Sequence, residues 1–108
     1  MRKVTIKAAE AMRHGYNMTS GNTRVVSDGN IMKLHGNTIA IYDRVEGLLT
    51  LRDSGWRSAT TKERLNGVLM SFGAHKFIAQ RAGVWYVLTP GGLEPEELWQ
   101  GNLTVEAQ

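Results

Sequence analysis

Four bases and a tryptophan crowd into residues 52–64, which hold Arg52, Trp56, Arg57, Lys62 and Arg64. The stretch leaves an apolar run, crosses a loop containing Gly55, and enters a helical pattern at Thr60 and Thr61. A helix start presents free N–H groups and the positive end of the aligned peptide dipoles, so bases beside it make a natural anion site. Trp56 can stack on a nucleobase or fill a partner's pocket. A structural reading uses the same residues: Trp56 caps the core, Thr60 and Glu63 form a capping box, and Asp53 and Glu63 neutralise their neighbours. Both readings leave Arg52, Trp56, Arg57, Lys62 and Arg64 as candidate contact residues.

The remaining chemistry-bearing residues do not form a set. His14, His35 and His75 are widely spaced on different elements, without the paired ligands of a zinc or two-metal centre. His35 stands at a turn beside Gly36 and Asn37 and could serve as a general base. No serine or carboxylate near it in sequence completes a catalytic pair. Walker, GxGxxG and GxSxG patterns are absent, and Gly91-Gly92 opens no helix carrying Lys-Ser/Thr. The expectation is a chain without catalytic residues, metal or cofactor.

The elements that must position the basic segment can be read from periodicity. Residues 5–14 predict a helix with Thr5 as N-cap, Gly15 past its end, and Ile6, Ala9 and Met12 as its apolar stripe. Runs at 23–26, 31–34, 38–43 and 48–52 predict strands separated by turn residues, Ser27-Asp28-Gly29-Asn30 being the strongest hairpin signal. In these strands Ile39 and Ile41 should share one face, as should Leu49 and Leu51. Residues 61–72 predict the clearest helix, capped by Thr60 and Glu63 and ended by Gly73. Its core stripe is Leu65, Val68, Leu69 and Phe72, with Gly67 at a close contact. Runs at 76–80 and 84–88 predict two more strands. Trp85 and Tyr86 must face opposite ways, leaving one of them free to form an aromatic patch with Tyr42.

The expected fold is therefore α+β: an antiparallel meander of five to six short strands packed by two main helices, in the order α-β-β-β-β-α-β-β. Two helices cannot cover both sheet faces, so a homodimer or partner surface is expected. A chain of 108 residues fits one domain. We place it at 1–92, followed by an acidic tail at 93–108 in which residues 94–99 can form one helical turn. Residues 1–92 hold all thirteen Lys and Arg against six acids, whereas 93–108 hold four Glu and no base. A basic body attracts polyanions or an acidic protein face. There is no cysteine, which excludes disulfides and thiolate chemistry. No window approaches the ~20 apolar residues of a membrane helix, and no signal-peptide core follows the N-terminus. Cytoplasmic localisation without membrane contact follows as the expectation.

Two segments carry a resemblance: Leu34-His35-Gly36-Asn37-Thr38-Ile39-Ala40, and Gly55-Trp56 through Thr60-Thr61-Lys62-Glu63-Arg64-Leu65-Asn66. Over about residues 5–88 the chain resembles small uncharacterised proteins of tailed bacteriophages. The resemblance implies action in a bacterial host cell, where small accessory phage proteins bind host machinery, including CRISPR and other defence systems. The leading expectation is a non-enzymatic protein that binds a host protein or ribonucleoprotein complex stoichiometrically. One alternative is direct DNA or RNA binding through the basic helix start. Another is sequestration of a nucleotide signal.

Overall fold

Turn-forming pairs divide the first half of the chain into hairpins. In the computed structural model, which describes residues 1–107, a helix α1 (Lys3–His14) precedes strands β1 (Met18–Ser20), β2 (Thr23–Val26), β3 (Ile31–Leu34), β4 (Asn37–Asp43) and β5 (Leu48–Arg52). Helix α2 (Ala59–Ser71) follows, then β6 (Phe77–Arg81), β7 (Val84–Leu88), a 3-10 turn at Pro90–Gly92, β8 (Glu97–Leu98) and β9 (Asn102–Glu106). The class is α+β and every strand pairing is antiparallel, as read. The strands form two sheets instead of one, β1-β2-β3-β4-β5-β9 and β6-β7-β8.

The β3–β4 turn shows how sequence sets position. His35 and Gly36 take φ of 51° and 79°, the left-handed pair that a two-residue hairpin requires. Beyond it the register slips: Lys33 faces Thr38 while Met32 faces Ala40, so Ile39 is an extra residue in β4. The bulge turns both Ile39 and Ala40 into the core and sends Ile41 to the opposite face. Strict alternation therefore fails for Ile39 and Ile41. It holds for Leu49 and Leu51, both fully buried.

Both helices start earlier than their sequence suggests. Helix α1 begins at Lys3 after Arg2, and Thr5 lies inside it, completely buried, so Thr5 is not the cap. Its buried face is Thr5, Ala8, Ala9, Ala11 and Met12, whereas Ile6 is largely exposed. In α2 the cap is Ser58, whose Oγ accepts the Thr61 amide at 3.1 Å, in place of the Thr60–Glu63 box. Glu63 is drawn away because its carboxylate accepts from the Thr5 hydroxyl at 2.5 Å and from Arg64. The predicted stripe Leu65, Val68, Leu69 and Phe72 is buried. A Cβ on Gly67 would overlap the Thr5 methyl, so the glycine permits the close approach of the two helices.

The last fifteen described residues are part of the fold. In place of a helical turn at 94–99, β8 pairs with β7, and β9 lies beside β5 with Leu49 opposite Val105 and Leu51 opposite Leu103. Between them Trp99 docks on Trp85, ring centroids 5.9 Å apart, both rings buried. Tyr86 faces the other way, beneath the Arg81 guanidinium. Tyr42 packs edge-on against Phe72, so no patch with Tyr86 forms.

Candidate functional site

Asp53 organises the loop after β5. Its Oδ1 accepts the Gly55 amide at 2.8 Å, while its Oδ2 accepts Arg57 Nε at 3.0 Å and the Trp99 indole N–H at 2.8 Å. The Trp56 amide donates to the Asp53 carbonyl, and Ser54 Oγ to the Thr38 carbonyl. The loop is therefore tied at both ends. It holds the Trp56 side chain out, 65% exposed.

The five candidate residues do not converge. Arg52 is exposed at the end of β5 and makes no hydrogen bond or ion pair among the described residues. Arg57 is half exposed but committed to Asp53. Lys62 Nζ donates to Gln80 Oε1 at 3.0 Å on the flank of α2. Arg64 corrects the expectation most sharply. It is 2% exposed, and its Nε donates to Thr23 Oγ1 at 3.0 Å while Nη1 donates to Thr5 Oγ1 and Glu63 Oε1. The reason is periodicity: position 64 lies three residues after buried Thr61 and four before buried Val68, on the helix face turned to the core. That spacing was legible, and the charge masked it.

What Trp56 does border is a cavity of about 410 Å³, lined by Leu34, His35, Asn37, Ile39, Asp53, Trp56, Ser58 and Thr61. Core side chains Leu34 and Ile39 form its floor, the β3–β4 turn one wall, and the Trp56 loop with the first turn of α2 the other. The two segments singled out by resemblance thus meet across one groove. Sequence reasoning missed Leu34, Asn37, Ile39, Asp53, Ser58 and Thr61 as a group. The signal available was the pair of motifs, without the contact that joins them. His35 Nε2 lies 3.4 Å from Asn22 Nδ2, and Ser58 Oγ is shared with Thr61. No cluster of three or more His, Asp or Glu suited to a metal ion occurs among the described residues. No helix among them is long and apolar enough to cross a membrane.

Two carboxylates are tuned by this scaffold. Burial pushes Asp53 up, but the Trp99 indole, the Gly55 amide and Arg57 together outweigh it and hold the acid below its ordinary range. The Thr5 hydroxyl, opposed by burial and helped by Arg64, does the same for Glu63. A carboxylate depressed in the folded state contributes stability that is complete above its unfolded value and is lost as pH falls through the folded one. Urea midpoints should therefore hold steady down to about pH 5 and drop steeply below about pH 4. Asp53→Asn should start lower and show a shallower acid decline. An unchanged acid limb in that variant would remove Asp53 from the account.

No curated protein and no solved structure matches the chain. A family model matches residues 1–105, so it covers β8 and all but the last residue of β9, beyond the 5–88 span of the resemblance. The chain belongs to the bacteriophage family described as Kyanoviridae Gp96 protein.

Proposed function

We propose that this phage protein is non-enzymatic and acts in the host cytoplasm by binding a host defence or nucleic-acid-processing complex one to one, with Trp56 as its anchor. The observation that carries the reading is a large indole, 65% exposed, held by a tied loop at the mouth of an apolar-floored groove. Tryptophan is favoured among residues that dominate interface energy, and a loop ordered before binding loses little entropy on complex formation. Membership in a phage family is consistent with an accessory role of this kind.

Tagged protein incubated with lysate of a bacterial host should retain one protein or ribonucleoprotein in a near-equimolar ratio. Trp56→Ser should weaken that complex by about thirty-fold or more, the hot-spot threshold, with an unchanged melting temperature. Absence of any stoichiometric partner, or equal capture by the variant, overturns the proposal. The groove volume of about 410 Å³ favours a second reading, sequestration of a nucleotide, because ligand pockets span roughly 300–1,000 Å³. There a nucleotide alone should raise the melting temperature of the wild type and leave that of Trp56→Ser unmoved.

A further inference from the structure

Helices α1 and α2 both pack on one face of the larger sheet, and its other face is open. Alternation identifies the open face: Thr23, Val25, Met32, Leu34, Leu49 and Leu51 are buried, so Arg24, Lys33 and Arg52 point away from the core. Register aligns them in one row across the strands. Thr19 faces Arg24, Arg24 faces Lys33, Lys33 faces Thr38, and Arg52, beyond the bulged start of β4, faces Asn102. With neighbouring strands about 4.8 Å apart, the three bases cover roughly 14 Å of backbone.

This row lowers stability as far as the isolated chain is concerned. Arg24 and Lys33 are direct cross-strand partners of like charge, an unfavourable arrangement in an antiparallel pair. None of the three bases makes an ion pair or hydrogen bond among the described residues. The sheet's acids stand at its far end, where Asp43 and Glu106 flank Leu48. Protection of a sheet edge does not explain the row, because Arg24 and Lys33 sit on the interior strands β2 and β3 and the edges are β1 and β9. Alongside runs a second row of half-buried side chains, Val26, Ile31, Ile41 and Thr50.

We infer that this open face binds single-stranded nucleic acid, its phosphates lying along Arg24, Lys33 and Arg52 and its bases against Val26, Ile31 and Ile41. Thr19, Thr38 and Asn102 supply hydrogen bonds to sugar and phosphate between the charges. The aliphatic side chains of the second row, Val26, Ile31 and Ile41, are what select an unpaired strand, by van der Waals contact with base faces. A duplex keeps its base faces stacked and has nothing to lay there, whereas a single strand presents them. The surface is separate from the Trp56 groove and stands independently of its role.

The test is fluorescence anisotropy with labelled oligothymidylate, oligouridylate and a duplex of equal length, titrated at several salt concentrations. Wild type should bind the single strands more tightly than the duplex, with log affinity falling against log salt at a slope of about −2, three contacts at roughly −0.7 each. A triple variant, Arg24→Gln, Lys33→Gln and Arg52→Gln, should lose at least tenfold in affinity and most of that slope. Its melting temperature should be unchanged or raised, because like-charge repulsion is removed. Trp56→Ser should bind as wild type. The inference is overturned by absent binding, by preference for the duplex, by competition from polyglutamate as effective as that from an oligonucleotide, by a triple variant that binds normally or melts several degrees lower, or by loss of binding in Trp56→Ser.

Discussion

Arg64→Met is expected to lower folding stability by about 3 kcal/mol, the loss of a buried guanidinium's charge-assisted hydrogen bonds to Thr5, Thr23 and the partly exposed Glu63. The guanidinium joins three elements: Thr5 on α1, Thr23 on β2 and its neighbour Glu63 on α2. Burial pulls Arg64 down from its ordinary value and Glu63 pulls it back, so the pair survives because each group compensates the other. Methionine fills the space but leaves the Glu63 carboxylate and the Thr23 oxygen without that donor. Lysine should recover little, because one ammonium cannot reproduce the fork that reaches all three oxygens. In a domain of this size 1 kcal/mol corresponds to about 4–8 °C, so calorimetry should find a fall of more than ten degrees. A Lys variant melting within two or three degrees of wild type would show that charge alone, without the fork, holds the helices together.

Trp99→Ala should be comparably severe, about 3–5 kcal/mol, since it empties a buried indole site and strips a hydrogen bond from Asp53. Trp99→Phe separates the two contributions. The ring would still pack against Trp85, and the loss should shrink to about 1.5–3 kcal/mol, that of one hydrogen bond to a carboxylate oxygen that Arg57 still partners. Denaturant unfolding of both variants, followed by far-UV circular dichroism so that the lost tryptophan does not enter the signal, is the measurement. Equal losses for Ala and Phe would place the whole effect in the hydrogen bond.

Much of the fold was legible because hairpin signals and the stripe on α2 depend on local residue type. The turns at Asp28-Gly29 and His35-Gly36, the burial of Leu49 and Leu51, and the close contact at Gly67 all follow from such signals. The misses have one physical source, long-range partners that sequence spacing does not display. Thr5 and Glu63 looked like helix caps because the bond between them spans the two helices. Residues 102–106 alternate as a strand should, yet their acidic surroundings suggested a tail, and the apolar residues of β5 that they cover lie far away in sequence. The candidate site was half visible: Trp56 and Arg52 are exposed, but Arg64 is interior and Arg57 belongs to the loop. The row formed by Arg24, Lys33 and Arg52 needed strand register before its members became neighbours.

The joint between Asp53 and the segment around Trp99 also sets an order of events during folding. The hairpins from β1 to β5 close over a few residues each, whereas β9 reaches β5 only after α2 and the smaller sheet intervene. The Asp53 amide waits for the Gly101 carbonyl, and its carboxylate for the Trp99 indole. A chain that has its hairpins but not yet this closure can already form the loop's bonds from Gly55, Arg57 and Ser54, and lacks only those joining Asp53 to Gly101 and Trp99. The last two ties on Asp53 therefore depend on completion of the sheet, so the loop reaches its full set of bonds only when β9 is in place.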